Sequence, residues 1–202
     1  MMKYTVSFLL PYLIGSISFS IIVTYFISKK DIRSMGSNNA GGTNVMRSMG
    51  KTAGISVMVL DILKCTVAVM IIRMLYGGND PIFYCLAGLS CMLGHMFPLF
   101  FKFKGGKGVA CGAGMVLAVD WRAFLILIGI FAIVLILSRY VSLASCLAAA
   151  SYPISVFIFI ISKTAYPVYA MLLAVLTGGM VIYMHRDNIK RLIKGTERRL
   201  GK

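Results

Sequence analysis

The sequence predicts an all-α integral membrane protein with seven transmembrane helices, an external N-terminus and a cytoplasmic C-terminus. Only 13% of its 202 residues are charged and 59% are hydrophobic, with a mean hydropathy of +0.87. A soluble domain holds about 25% charged residues. Several apolar runs reach the roughly 20 residues that span a bilayer as a helix, and the short alternating segments of a transmembrane barrel are not seen. We expect one membrane-integral domain over residues 1–202.

Polar segments divide the apolar sequence into the predicted spans. The first run ends at SKKDIRS with no small-residue cleavage site, so we expect a retained span rather than a signal peptide. GGND follows the second span, DWR opens the fifth, SRYVS separates the fifth from the sixth, and SKTAYP precedes the seventh. The fourth is short and Gly-rich, which indicates a partial or tilted span. The spans lie near residues 4–28, 53–76, 81–101, 108–119, 121–138, 141–162 and 165–184.

Basic residues are unevenly distributed between the two sides of these spans. With an external N-terminus, sixteen of the 21 Lys and Arg fall on the side of the C-terminus and four on the other, while Lys64 lies within a span. Such an excess marks cytoplasmic loops. In a soluble protein this charge would suggest nucleic acid. Here the tail KRLIKGTERRLGK indicates contact with anionic membrane lipids, and we expect no nucleic-acid partner.

Four unusual polar segments fall together on the predicted cytoplasmic side. They are GSNNAGGTNVMRSMGK (36–51), KFKGGKG (102–108), SRYVS (138–142) and HRDNIKR (185–191). The predicted external turns are short and plain. We therefore expect any chemistry to face the cytoplasm.

The first polar segment has the composition of an anion-binding loop. Gly36, Gly41 and Gly42 permit turns that aim backbone amides at an anion, and the N-terminus of a following helix adds a favourable dipole. Arg47 on that helix would lie near the anion. A plain connecting loop needs the same turn residues, so both interpretations stay open. The other polar candidates here are Ser37, Asn38, Asn39, Thr43 and Asn44.

The second polar segment is not a nucleotide-binding P-loop. That motif requires Ser or Thr after its Gly-Lys pair, whereas Gly106-Lys107 is followed by Gly108. GVACG (108–112) fits a GxxxG helix-packing pattern. Lysine is a point cation suited to phosphate, although contact with lipid headgroups is the alternative. The expected roles are charge for Lys104 and Lys107, access for Gly105 and Gly106, and packing for Gly108.

Ionisable residues near or within the spans are further candidates. His185 ends the last span and could exchange a proton near neutral pH, or it could simply cap the helix end. Asn188 follows one turn later on the same face. His95 is interpreted as structural. Asp61 and Lys64 can neutralise each other at i, i+3, either as a structural pair or as a functional one.

The cysteines and acids indicate no metal site. None of the five cysteines forms a CxxC pair, and all lie in or near apolar segments, so we expect buried free thiols. Six scattered acids and two histidines form no ligand cluster in the sequence.

Taken in order, the four segments resemble the bacterial acyl-phosphate:glycerol-3-phosphate acyltransferase family. The matching stretches are GSNNAGGTNVMRSMG, GHMFPLFFKFKGGKGVA, RYVSLASCLAA and HRDNIKRLIKGTE, which extend the resemblance over nearly the whole chain. Asn38 and Gly42 depart from the residues most frequent in the family, a change that could alter the shape of the loop.

The resemblance implies a seven-span enzyme that moves a fatty acyl group from acyl phosphate to the 1-position of sn-glycerol 3-phosphate. It implies substrate-site roles for Ser37, Arg47, Lys104, Lys107, Ser142, His185 and Asn188. Our catalytic candidates are His185, Asn188 and Lys107. Our substrate-binding candidates are Ser37, Asn39, Thr43, Asn44, Arg47, Lys104, Gly105, Gly106 and Ser142. No metal, nucleotide, acyl-CoA or other cofactor is implied.

Two other classes of protein share some of these features. An anion transporter would use the same positive mouth, but no internal repeat is evident and the polar segments lie on one side rather than at the midplane. A non-enzymatic lipid-binding scaffold would need only the basic tail, and it leaves GSNNAGGTN (36–44), which we call the Asn/Gly loop, unexplained.

Overall fold

The computed structural model describes residues 1–76, 80–160 and 166–201, and in this part of the chain every regular element is helical. Most of the GGND turn, part of the SKTAYP turn, the end of the sixth predicted span, the first residue of the seventh and Lys202 lie outside the described residues. The chain divides into two compact units, Met1–Val119 and Asp120–Lys202.

The first unit is arranged around its longest helix, α4. This helix contacts α1, α2, α3, α5 and α6. A small apolar core of Ile21, Ile32, Ala40, Val45 and Val57 lies where α2, α3 and α4 meet the Asn/Gly loop. The helices of this unit are α1 (Met2–Gly15), α2 (Phe19–Ser28), α3 (Gly42–Met49), α4 (Lys51–Tyr76), α5 (Pro81–Met96) and α6 (Val109–Val119), with single 3₁₀ turns at Ile32–Ser34 and Leu99–Phe101.

The first predicted span is interrupted between α1 and α2. Ser16 Oγ donates to Tyr12 O at 2.9 Å and accepts from Leu99 N at 3.2 Å. The carbonyl of Ile17 accepts from Lys64 Nζ at 2.8 Å. In an apolar environment the backbone groups freed by a break in a helix need hydrogen-bond partners from elsewhere in the protein. Here Ser16 Oγ and Lys64 Nζ are among those partners. Runs of apolar residues do not reveal such a break.

The fourth predicted span is the 11-residue helix α6. At 1.5 Å per residue it extends about 16 Å, against a hydrocarbon core of about 30 Å. Gly108 of the expected GxxxG pair precedes this helix, at φ +83°. The close approach to α4 occurs instead at Gly114, where a Cβ would collide with Ile62 O.

The second unit is arranged around α8, which contacts α7, α9 and α10. Pro153 lies inside α8, and a π-helical turn at Val156–Ile160 follows it, since proline removes a backbone donor and disturbs the helix. The tail returns to the start of α8, where Leu200 N donates to Arg139 O at 2.7 Å. The helices are α7 (Trp121–Ser138), α8 (Val141–Ser155), α9 (Pro167–Met184) and α10 (Arg186–Ile193).

Six segments of the described residues are long and apolar enough to cross a membrane. They are Met2–Ser28, Lys51–Tyr76, Pro81–Phe101, Trp121–Ser138, Val141–Ile158 and Pro167–Met184. Each coincides with a predicted span. Length and composition therefore support six of the seven crossings, and α6 is the shorter apolar helix that remains.

Candidate functional site

The Asn/Gly loop is organised by the buried amide of Asn44. Its Nδ2 lies within hydrogen-bond distance of the carbonyls of Ile32, Met35 and Asn39, at 3.2, 2.9 and 3.0 Å. Its Oδ1 accepts from Ser37 N at 2.9 Å. A side-chain amide has two donor hydrogens and one acceptor oxygen, so both ends of Asn44 are committed to shaping this loop.

The remaining candidates of the loop lie before α3 or on it. Gly41 caps this helix, whose first amides have no partner within the helix. Ser37 is exposed, whereas Asn39, Thr43 and Arg47 are half-buried. Thr43 and Arg47 are four residues apart and therefore share one face of α3. The structure thus places Asn39 and Thr43 beside the N-terminus of α3, a location that favours anions, while Arg47 lies in the last turn of the same helix.

The second polar segment, KFKGGKG (102–108), which we call the lysine segment, folds back on the end of α5. The amides of Gly105 and Gly106 donate to Met96 O and His95 O, each at 3.1 Å. Since both amides serve the chain itself, these glycines position the segment and do not supply donors for an anion. A Cβ on Gly106 would collide with the ring of His95 and lie 2.8 Å from Ala40 O.

The same turn brings the two predicted segments of the first unit together. The contact of Gly106 with Ala40 places the lysine segment beside the Asn/Gly loop. Lys104 is exposed and Lys107 is half-buried. The backbones of the two cation-bearing segments therefore lie side by side in this unit.

Arg33 connects the same two segments, and its role is not predicted from the sequence. Its Nη1 donates to Phe101 O at 2.7 Å and to Lys104 O at 3.2 Å, while its Nε and Nη2 contact Asp31. The Arg33 hydrogen bond lowers the pKa of Asp31 against the opposing effect of burial. The only signal in the sequence is the acid–base pair within SKKDIRS.

His185 lies buried at the junction of α9 and α10. Its Nδ1 lies 2.8 Å from Val181 O. A carbonyl oxygen only accepts, so Nδ1 carries the proton and Nε2 is the basic nitrogen of the neutral ring. That tautomer suits a base or an acceptor of a substrate hydroxyl.

Ser142 and Asn188 meet on the carboxylate of Glu197, a residue that sequence reasoning missed. Ser142 Oγ and Asn188 Nδ2 donate to its Oε1 at 2.8 and 2.6 Å, and Arg191 Nε donates to Oε2 at 2.7 Å. Burial raises the pKa of Glu197, but these hydrogen bonds lower it by more. The hydroxyl of Ser142 has a single proton and gives it to this carboxylate.

Asp61 and Lys64 form the expected pair, with Nζ and Oδ1 2.8 Å apart. His95 joins them, since its Nδ1 lies 3.1 Å from Lys64 Nζ and 3.5 Å from Asp61 Oδ1. Lys64 is thus the polar partner of the His95 ring. We call Asp61, Lys64 and His95 the buried triad.

All five cysteines are free thiols, as expected, and four of them are buried. The sulfur atoms of Cys65, Cys91 and Cys111 lie within 4.8 Å of one another, on α4, α5 and α6. Among the described residues this is the group of three donors close enough to hold a metal ion. Thiolates would favour a soft ion. Sequence spacing gives no sign of this convergence.

The predicted site residues fall into both units. Ser37, Asn39, Thr43, Asn44, Arg47, Lys104, Gly105, Gly106 and Lys107 belong to the first unit, and Ser142, His185 and Asn188 to the second. In the first unit the structure brings the loop and the lysine segment together. In the second it joins Ser142 to Asn188.

Relatives of known sequence match the chain over almost its full length. It is 42% identical over 198 residues to the glycerol-3-phosphate acyltransferase of Rhodopseudomonas palustris, covering 98% of this chain and 96% of that protein. It is 41% identical over 202 residues to the protein of the same name from Aquifex aeolicus, covering 98% of this chain and 100% of that protein.

Solved structures and a family model agree with these relatives. The chain resembles crystal structures of PlsY (YgiH), an integral membrane glycerol 3-phosphate acyltransferase. The glycerol 3-phosphate form matches with a TM-score of 0.90 at 38% identity, covering 98% of this chain and 96% of that one. The lysophosphatidic acid form matches with a TM-score of 0.87 at 37% identity, with coverages of 98% and 95%. The family model for glycerol-3-phosphate acyltransferase matches residues 5–195. The chain therefore belongs to the glycerol-3-phosphate acyltransferase family.

Proposed function

We propose that this protein transfers a fatty acyl group from acyl phosphate to the 1-position of sn-glycerol 3-phosphate, forming lysophosphatidic acid and phosphate. The observation that carries this proposal is the full-length similarity to a structure obtained in a glycerol 3-phosphate form and a lysophosphatidic acid form. These two molecules are the acceptor and the product of the reaction. The reaction is the first acylation of phospholipid biosynthesis.

We take acyl phosphate as the donor from the family resemblance, and the cationic residues of the first unit support that choice. Both substrates then carry phosphate, and two anions held close together need compensating charge. Arg47 can bind phosphate through two parallel donors, whereas Lys104 and Lys107 act as point cations. The N-terminus of α3 adds its dipole. Phosphate is also a good leaving group, so the donor needs little further activation.

The reaction is a direct displacement that needs no covalent enzyme intermediate. The oxygen at the 1-position of glycerol 3-phosphate forms a bond to the acyl carbon, and the bond from that carbon to the phosphate oxygen breaks. The hydroxyl proton passes to a phosphate oxygen of the donor, which leaves as hydrogen phosphate. The enzyme contributes chiefly by orienting the hydroxyl against the acyl carbon and stabilising the developing charge.

His185 and Asn188 are the proposed partners of the reacting hydroxyl in the second unit. Nε2 of His185 would accept from that hydroxyl and hold it in place, with the donor phosphate as the base we favour and His185 itself as the alternative. Glu197 holds Asn188 and Ser142 in fixed orientations. We place Ser142 in the substrate site as well. Because its hydroxyl proton is donated to Glu197, its oxygen would act there as an acceptor.

We propose that the protein lies in the bacterial cytoplasmic membrane as a single catalytic domain of seven crossings. An odd number of crossings with an external N-terminus puts most of the basic residues in the cytoplasm, as the positive-inside rule requires. The helix α6 with its flanking segments is the proposed fourth crossing. The active site then faces the cytoplasm, and the basic tail meets anionic lipids.

A comparison of acyl donors tests this function. Purified protein in detergent is incubated with glycerol 3-phosphate and one of three donors of matched chain length: acyl phosphate, acyl-CoA or acyl carrier protein thioester. We expect lysophosphatidic acid only with acyl phosphate, together with one phosphate per turnover. A Lys107→Ala variant of equal thermal stability serves as the control for contaminating activity. Absence of product from folded wild-type protein, or equal use of the thioesters, would contradict the proposal.

A further inference from the structure

The buried triad lies in the interior of the first unit, on α4 and α5. Asp61, Lys64 and His95 are 2%, 7% and 6% exposed. Ionisable side chains are costly to bury within an apolar bundle, and a charge left without its partner there is strongly destabilising. A hydrophobic pair would hold two helices together at less cost. The contacts of the triad indicate what else it does.

Lys64 is the centre of the triad. Its ammonium nitrogen lies 2.8 Å from Asp61 Oδ1, 2.8 Å from Ile17 O and 3.1 Å from His95 Nδ1. An ammonium group has three donors and no acceptor, so the atom that it contacts on His95 must offer a lone pair. His95 Nδ1 therefore accepts, and the proton of the neutral ring lies on Nε2. Lys64 thereby fixes both the orientation and the tautomer of His95.

The other edge of the His95 ring supports the lysine segment. A Cβ on Gly106 would collide with His95 Nε2, which shows that the ring lies directly against this glycine. The carbonyls of His95 and Met96 accept from Gly106 and Gly105 at 3.1 Å. Because Gly106 directly precedes Lys107, the position of the ring also determines the position of the Lys107 backbone.

We propose that the buried triad is a positioning device for phosphate binding. Asp61 and Lys64 hold the ring of His95 in one orientation. The ring in turn determines the position of the Gly106 backbone, and through it the positions of Lys107 and the rest of the lysine segment. This inference deepens the proposed function and rests on it. The triad is not catalytic, because it acts on the substrate through Gly106 and Lys107.

Two substitutions of His95 distinguish the role of its Nδ1, which contacts Lys64, from that of its Nε2, which lies against Gly106. Asparagine at His95 offers an oxygen near the place of Nδ1, so Lys64 keeps its partner, but the space beneath Gly106 is left empty. Glutamine fills that space and presents a polar atom near the place of Nε2. We expect His95→Asn to raise KM for glycerol 3-phosphate about tenfold, with kcat changed less than about twofold, and His95→Gln to restore most of the loss.

A charge-neutral double variant tests the other half of the device. Asp61→Asn with Lys64→Met removes both charges together, which avoids leaving a lone buried ion. The ring of His95 then loses its donor, and we expect a rise in KM similar to that of His95→Asn. The matched control is Thr66→Val, which removes a hydrogen bond from α4 to Gly114 O on α6 (2.9 Å). It should lower thermal stability without changing KM.

The decisive measurements are steady-state KM and kcat with acyl phosphate, binding of glycerol 3-phosphate by calorimetry without donor, and thermal unfolding. Inactive wild-type protein would mean that the proposed function fails, whereas active wild type with an unchanged KM in folded His95→Asn would overturn only this inference. A loss confined to kcat, or His95→Gln as defective as His95→Asn, would also overturn it. If all three triad variants fail to fold, the triad is purely structural and the proposal is wrong.

Discussion

A single carboxylate, that of Glu197, collects three donors in the second unit. Ser142, Asn188 and Arg191 all donate to it, and its side chain is only 5% exposed. Asn44 has a corresponding place in the first unit, where one amide joins the carbonyls of Ile32, Met35 and Asn39. Both residues shape the site by fixing its neighbours, and a polar group left unpartnered by their removal costs about 1–3 kcal/mol.

Removal of Glu197 is expected to destabilise the second unit in a manner that depends on pH. Its pKa is lowered from the ordinary value of 4.5. A carboxyl group whose pKa is lower in the folded than in the unfolded state stabilises the fold at pH values above its unfolded pKa. This stabilisation is lost as the pH falls through its folded pKa. We expect Glu197→Ala to cost about 2 kcal/mol at pH 7 and less under acid conditions. Thermal unfolding in detergent at several pH values measures this dependence.

Glu197→Gln is the matched control for the charge. Its amide oxygen can still accept from Ser142 and Asn188, whereas its amide nitrogen would face the Arg191 donor. We expect a loss of stability smaller than that of alanine. A stability deficit of Glu197→Ala that stays the same from pH 7 to well below pH 4.5 would show that the carboxylate charge is not what stabilises this cluster.

At the scale of elements, close backbone contact holds α4 against α6. A Cβ on Gly114 would collide with Ile62 O, and two polar contacts reinforce the same pair of helices. Thr66 Oγ1 donates to Gly114 O at 2.9 Å, and Arg73 Nη1 donates to Ala118 O at 2.7 Å. Small residues at such positions allow helices to pack where lipid provides no hydrophobic drive between them. These contacts hold α6, although it is only 11 residues long.

Gly114→Ala is therefore expected to be destabilising although alanine favours helices. The added methyl group forces α6 away from the backbone of α4 and lengthens the Thr66 bond, with an expected cost of about 1–3 kcal/mol. Gly129→Ala is the matched control, because Gly129 lies in α7 with nothing within 4 Å of its Cβ position. There alanine should be neutral or stabilising. Equal thermal stability of the two variants would contradict this account of the packing.

At the scale of the whole molecule, the charge distribution determines the expected orientation in the membrane. Six segments of the described chain are long and apolar enough to cross. The helix α6 decides whether the number of crossings is odd. An odd number puts the two termini on opposite sides, and an even number puts them on the same side.

Labelling of single introduced cysteines distinguishes these topologies. We expect Met2→Cys to react with a membrane-impermeant maleimide in intact spheroplasts, and Lys194→Cys to react only after lysis. Both positions are exposed, and the wild-type chain gives the background from its own cysteines. Labelling of both variants from the same side would exclude the seven-crossing arrangement.

The helical class, the membrane setting and the segments that carry the candidate residues can all be predicted from the sequence. Long apolar runs, their polar boundaries and the excess of basic residues are local properties, and they require no knowledge of packing. The Asp61–Lys64 pair was also predicted, because residues three apart on a helix face the same way. The family resemblance added the chemistry of the reaction.

Which side chains contact one another depends on the packing of the helices. Ser142 and Glu197 are 55 residues apart, Lys64 and His95 are 31 apart, and Lys64 lies 47 residues from Ile17. Packing also pairs the amides of Gly105 and Gly106 with carbonyls at the end of α5. The first span is interrupted at the point where Lys64 Nζ donates to Ile17 O. Contacts of this kind depend on how helices distant in sequence pack together, and neither hydropathy nor motif spacing contains that information.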